Sequence, residues 1–256
     1  MRRSLAVVCA AGLIAVSLPA AVNPPAPAPG PPTAEELAAG QELAESLRST
    51  PPDEDSSRQG HLRITTGGVS RSVPFRCEVK RVGPTWETDY TIDPASTQEA
   101  ERLEVVHQTN GPTVYRFARA PSSGGSLPPL ANVPAADLEQ PLAGSDFSFS
   151  DLGLEFLHWP GQRRLKGEMR LGQPCYVLES TRPGGGEIVR IRSDIDKESG
   201  GLLIADAYDA AGSLIKEFSL HASSFKKIHG HWQVEKMEIR NKKTGSRTEL
   251  KFDLKP

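Results

Sequence analysis

Long apolar runs are missing from this sequence once residue 18 is passed, so no later segment is suited to cross a bilayer as a helix. An excess of one charge is missing too: 30 Lys and Arg stand against 32 Asp and Glu. No basic block is interleaved with aromatics, and the footprint of a nucleic-acid binder is therefore absent. Common catalytic signatures do not occur. There is no G-x-S-x-G elbow. The glycine run in RPGGGE (182–187) lacks the Lys-Ser/Thr of a P-loop and joins two strands rather than a strand and a helix. Cysteine is scarce: after Cys9 only Cys77 and Cys175 occur. In an exported protein two such residues can pair. Each also sits in an apolar strand pattern, where cysteine serves as a small core residue. Both readings of Cys77 and Cys175 stay open at this level.

What is present begins with an address. Arg2 and Arg3 precede LAVVCAAGLIAVSL (5–18), an apolar run too short to span a bilayer comfortably, and small residues follow it. This reads as an export signal over 1–22, removed from the mature chain. Cys9 is not a lipid-attachment site, because Val8 precedes it where a small residue is needed. Loss of Arg2 and Arg3 moves the net charge from −2 to about −4. NPPAPAPGPP (23–32) is extended, solvated chain by composition and reads as a linker. One domain over 33–256 remains, a length that suits a single all-β unit.

That domain opens with a helix, TAEELAAGQELAESLRS (33–49). Thr33 stands at its N-cap and Glu36 at the capping-box position. Leu37, Ala44 and Leu47 share a face, with Leu43 beside them, and such a stripe must lie on something larger. From there the period changes to two. In VPFRCEVK (73–80), Val73, Phe75, Cys77 and Val79 alternate with charged residues; in TWETDYTI (85–92), Trp86, Tyr90 and Ile92 do. RLEVVHQTNGPTVYRFARA (102–120) reads as two strands around Asn110-Gly111. The stretch 121–145 is a long Pro/Gly/Ser/Ala-rich connection of the kind that forms lids or binding loops. Strands resume at RLKGEMRLG (164–172), PCYVLEST (174–181), EIVRIRSDID (187–196), LLIADAYD (202–209), LIKEFSLH (214–221), WQVEKMEIR (232–240) and RTELKFDL (247–254). The phase slips within WQVEKMEIR, which points to a β-bulge near Glu235-Lys236. Short connections make these neighbours antiparallel, and a sheet of ten or eleven strands tends to curl. Helical segments are the natural cover for its concave side.

Several polar clusters invite a chemical reading and yield a structural one. GSDFSFSDLGLEFLHW (144–159) carries Asp146 and Asp151 around Phe147 and Phe149. No nucleophile or metal motif lies near them. Asp146 or Ser145 is expected to cap a turn, Asp151 to cap a short helix LGLEFL, and the phenylalanines to anchor the segment. DIDKESG (194–200) has calcium-loop spacing at Asp194, Asp196 and Glu198, but Ala205 occupies the place of the bidentate Glu, so a hairpin turn explains it better. HGH (229–231) has no further motif to complete four ligands. No metal and no cofactor is implied.

The combined pattern resembles the outer-membrane lipoprotein-sorting proteins of the LolA-like superfamily, in their large uncharacterised branch. Ser145 to Leu152, the Gly172 to Val177 strand, the Asp196 to Gly200 hairpin and the Lys243 to Gly245 turn carry the likeness. It covers 145–254 well and 33–120 more loosely. The fold so implied is α+β and mainly β: a curved antiparallel sheet of about ten to eleven strands, an unclosed half-barrel covered by one to three helices. The resemblance further implies a monomeric, non-enzymatic periplasmic carrier in a Gram-negative-type envelope. Its partners would be a lipoprotein or lipid acyl chain and membrane-bound donor and acceptor proteins, with no nucleic acid. Phe75, Trp86, Tyr90, Leu165 and Met169 are the residues expected to line the groove, since a flexible Met suits an irregular chain. The alternative is an envelope-stress sensor or assembly protein that binds a protein partner on the same scaffold.

Overall fold

In the computed structural model the described residues are 30–93, 99–109, 111–120, 125–182, 184–220, 222–228 and 231–254. The signal segment 1–22, most of the linker, and Asn110 of the expected turn lie outside them. Helix α1 (Ala34–Ser49) starts as the sequence dictates: the Thr33 hydroxyl accepts from the Glu36 N–H, and the Glu36 carboxylate accepts from the Thr33 N–H at 2.9 Å. Among the described residues no helix is long and apolar enough to cross a membrane.

Among the described residues fifteen strands follow. The first run is β1 (Ser56–Thr66), β2 (Val69–Val82), β3 (Thr85–Ile92), β4 (Glu101–Gln108), β5 (Val114–Arg119) and the two-residue β6 (Ala131–Asn132). The second is β7 (Gly161–Arg170), β8 (Gln173–Thr181), β9 (Arg190–Asp196), β10 (Leu202–Tyr208) and β11 (Leu214–Ser219). The third is β12 (Phe225–Ile228), β13 (His231–Val234), β14 (Lys236–Asn241) and β15 (Arg247–Phe252). Thirteen of them form one curved, unclosed antiparallel sheet in the order β6-β5-β4-β3-β2-β1-β15-β14-β11-β10-β9-β8-β7, while β12 and β13 pair separately. The sheet is thus wider than the ten or eleven strands expected. The largest omission is β1. Arg58, His61 and Arg63 make it read as polar, and only Leu62 and Ile64 mark its buried face. Gly60 hides the rest, because a Cβ there would sit 2.1 Å from the Lys251 carbonyl of β15.

The phase slip at Glu235 is not a bulge. It is the break between β13, which belongs to the small hairpin, and β14, which belongs to the main sheet. The Glu235 N–H donates to the Ser224 carbonyl, and the Glu235 carbonyl accepts from the Phe252 N–H. One stretch that reads as a single strand with a phase slip therefore serves two sheets.

Because β6 and β7 are consecutive in the chain yet sit at opposite edges, the segment between them must cross the whole sheet. It does so on the buried face. Leu138, Leu142, Ala143, Phe147 and Phe149 enter one core cluster with Leu62, Phe75, Ile92, Leu103, Val105 and Leu250 of the strands. The Phe149 ring lies 4.8 Å from that of Phe117. Phe147 and Phe149 are buried, as expected of anchors, and each contributes about 1.5–3 kcal/mol by leaving water. The connection at 121–145 is thus in its later part a packed plug rather than a lid; residues 121–124 lie outside the described set. Glu101, buried in β4, pins it by accepting from the Ala143 N–H at 2.7 Å.

Helix α1 covers the other edge. Leu43, Ala44 and Leu47 meet Phe156, Leu157, Leu178, Ile188 and Ile191 in a second cluster. Leu37, read as part of the same stripe, is 39% exposed. The contact is tight at Gly40, where a Cβ would stand 2.5 Å from the Arg163 backbone nitrogen of β7. The Arg163–Glu36 ion pair at 2.9 Å and the Gln41 amide donating to the Pro160 carbonyl hold the helix in register.

Candidate functional site

The plug fills the β1–β5 wing around Leu103 and Val105 and leaves a larger space over the other wing. An apolar cavity of about 480 Å³ lies against β9, β10, β11 and β14. Its floor is built of Ile191, Leu203, Ala205, Ala207, Phe218 and Ile239. The crossover supplies the roof through Phe147, Leu152, Leu154 and Phe156, and the β12–β13 hairpin closes one side with Phe225 and Val234. The size falls within the range of roughly 300–1,000 Å³ usual for small-molecule pockets. The hollow exists because Ala205 and Ala207 of β10 are small where inward positions on β4, Leu103 and Val105, are large.

Polar side chains on the lining are few: Tyr90, Asp151, Ser199 and Lys216. Asp151 and Lys216 form an ion pair at 2.7 Å, both largely shielded from solvent. Asp151 is fixed from its other side. Ser148 is the N-cap of the single-turn helix α2 (Phe149–Leu152), and Asp151 accepts from the Ser148 N–H at 2.8 Å while its own N–H donates to the Ser148 hydroxyl. The helix expected at LGLEFL therefore starts three residues earlier, at Phe149, with Asp151 inside it rather than capping it. The stretch 155–158 forms a separate 3-10 turn. Asp146, in turn, accepts from the hydroxyls of Ser246 and Thr248 and ties the plug to β15. The two aspartates that opened a catalytic question are thus a clamp and a capping partner.

A second hollow, about 360 Å³, lies on the far side of Leu152 and Leu154, which border both spaces. Trp86, Thr88 and His107 line it with Leu47, Arg48 and His158. The Trp86 and His107 rings are stacked at 4.9 Å. Burial, and next the neighbouring His158, depresses His107 to about 4, so its ring is neutral at pH 7.

Of the residues expected to line the groove, Tyr90 borders the cavity and Trp86 the second hollow. Phe75 is packed into the plugged wing, 5.6 Å from the Phe252 ring. Leu165 is half-buried and Met169 is 63% exposed on β7, an edge strand whose register shifts between Leu165 and Glu168. Alternation alone does not distinguish such an edge from a central strand. Of the lining residues, Ala205 and Ala207 did carry a signal, namely small residues on the inward phase of a strand. Cys77 and Cys175 are both free thiols, buried in separate clusters, so the pairing left open by the sequence is not formed. Burial raises the Cys77 thiol to about 12. At 194–200 the structure has the hairpin turn: Asp196 accepts from the Ser199 N–H at 3.1 Å, and Asp194 pairs with Arg170 at 2.8 Å. Among the described residues no three His, Cys, Asp or Glu side chains gather as a metal site would require. His229 of the HGH turn lies outside them.

Comparison with known proteins places this geometry. A family model described as an uncharacterised protein matches residues 128–254, and no curated protein matches. The chain is similar to the crystal structure of a DUF1329 family protein from Desulfovibrio piger, at 21% identity and a TM-score of 0.67, over 85% of this chain and 91% of that one. It is similar to a candidate outer membrane lipoprotein-sorting protein domain from Vibrio parahaemolyticus, at 20% identity and a TM-score of 0.68, over 85% and 92%. A LolA superfamily protein from Nitrosomonas europaea is similar at 16% identity and a TM-score of 0.55, over 86% and 92%. These likenesses establish the fold as LolA-like, in agreement with the resemblance carried by the sequence motifs.

Proposed function

We propose that this protein is a non-enzymatic carrier of the bacterial envelope that holds an acyl chain, of a lipoprotein or a lipid, in the cavity over β9–β11. The observation that carries the reading is the apolar hollow itself, roofed by a crossover that is otherwise packed solid. An acyl chain gains about 0.8 kcal/mol for each methylene it buries, so a hydrocarbon lining alone is a sufficient driving force. No activated nucleophile is needed, and the polar lining groups are an ion pair, a hydroxyl and a phenol. The lipoprotein-sorting relative from Vibrio supports the same direction by fold analogy. An export signal over 1–22 would deliver the chain to the periplasm, where it would exchange its cargo with membrane-bound donor and acceptor proteins. The test is uptake of an uncharged fluorescent acyl probe by the purified mature chain, together with native mass spectrometry of protein taken from its own envelope. Saturable uptake and a co-purified lipid mass support the carrier; an empty protein that takes up no probe overturns it.

A second reading, binding of a protein partner, is favoured by one observation. Met169 and Leu171 are exposed together at the tip of the β7–β8 hairpin, on an edge of the sheet. Cross-linking in the envelope followed by recovery of a protein with no lipid supports that reading instead.

A further inference from the structure

The cavity lining has one charged position, the Asp151–Lys216 pair, and its surroundings select among amphiphiles. Lys216 lines both the apolar cavity and a surface hollow of about 230 Å³. The Asp151–Lys216 pair therefore stands at a throat, with hydrocarbon on one side and solvent on the other. The surface hollow is lined by Glu139, Asp146, Glu187 and Lys243, among others. Counting Asp151, four carboxylates face two ammonium groups and one guanidinium, that of Arg182, which pairs with Glu139 at 3.5 Å. Both ammonium groups are already matched: Lys216 to Asp151 at 2.7 Å and Lys243 to Glu187 at 2.9 Å. Negative charge is already crowded here, since Glu139 is held above the ordinary carboxylate range by burial first and by Asp151 next.

Resting on the carrier reading, we infer that the cavity takes a single-chain amphiphile whose head bears no negative charge, with the chain inside and the head at the Asp151–Lys216 throat. The Lys216 ammonium has three donors, and Asp151 uses one of them. An ester, amide or hydroxyl oxygen can accept another without disturbing the pair. A carboxylate or phosphate head would add a further negative charge to a site where negative groups already outnumber positive ones. It would also compete with Asp151 for the one ammonium that is partly shielded from water. The ion pair thus acts as a filter on the head, while the alanine-floored hollow reads the chain.

Competition against an uncharged fluorescent acyl amide tests this, with a fatty acid and the monoacylglycerol of the same chain length as competitors at pH 7.5. The monoacylglycerol is expected to displace the probe at a concentration about tenfold lower than the fatty acid. In the double variant Glu139→Gln, Glu187→Gln, which removes two carboxylates from the surface hollow, that advantage should narrow severalfold. Equal or better displacement by the fatty acid, or an unchanged ratio in the double variant, overturns the inference and leaves the carrier intact. If the parent chain takes up neither the probe nor either competitor, the carrier reading falls and this one falls with it.

Discussion

The two wings of the sheet meet the same crossover with different side chains. On the β1–β5 wing, Leu103, Val105, Ile92 and Phe75 rise to meet Leu138, Leu142, Phe147 and Phe149, and the interface closes there, the smaller hollow beside Trp86 and His107 lying beyond it. On the β9–β11 wing, Ala205 and Ala207 stop short of Leu152, Leu154 and Phe156, and a hollow of about 480 Å³ remains. The backbone plan is alike in both: an antiparallel meander, short turns, a helical or looped cover. What differs is the side-chain volume presented at inward positions. A binding space in this fold is thus made by withholding bulk from one strand, while the rigid, filled wing fixes the roof in place.

The largest effect should come from breaking the filled wing. Phe149→Ala removes a ring with no exposed surface and should cost about 3–5 kcal/mol in urea unfolding. Next comes a matched pair of overpacking changes. Val105→Phe in the filled wing should cost about 1–3 kcal/mol. Ala205→Phe in the hollow wing should cost less than about 1 kcal/mol, because its ring has space to enter, yet should lower acyl-probe affinity by about tenfold or more. Similar stability losses at the two sites would erase the distinction between the wings.

The wings also differ in how they answer acid. Asp194, on β9, is raised by burial to about 6 from 3.8. The folded state then holds a proton that the unfolded state has lost, so this group's contribution is favourable below about pH 4 and is lost as pH rises to about 6. His107, on β4, is depressed to about 4 from 6.5, so its contribution is full above about pH 6.5 and is lost as pH falls to about 4. The two slopes oppose each other in the parent chain. Relative to the parent chain, Asp194→Asn should tilt stability toward rising with pH between 4 and 6, and His107→Gln should tilt it toward falling. Each tilt should be on the order of 1–2 kcal/mol, read from urea midpoints across that range. The smallest effect is at the cover of the hollow wing. Thr33→Ala removes the cap of α1 and should cost about 1 kcal/mol, seen as faster amide exchange in the first turn of that helix.

Much of this was legible in the amino-acid order. The Thr33–Glu36 capping box, the alternation of Val73, Phe75 and Cys77, and the anchoring role of Phe147 and Phe149 follow from local rules that tertiary structure did not override. The cavity was not legible in the same way. Leu165 and Met169 alternate as regularly as any central strand, because period two reports a half-buried ribbon and not its place in the sheet. That place depends on strand order, and nothing local in the sequence says that β6 and β7 end at opposite edges. Gly40 and Gly60 were silent for a related reason: a glycine needed for close approach looks like any other until its neighbour across space is known.

The crossover has a mechanical side as well. The sheet is a bow whose two tips, β6 and β7, are joined by one covalent string that is glued to the wood along half its length. Such a bow cannot straighten without stretching its string, so the depth of the empty half is set by how much chain lies between the tips. Shortening that span should bend the bow further and pinch the space shut; lengthening it should let the limbs relax and the space widen.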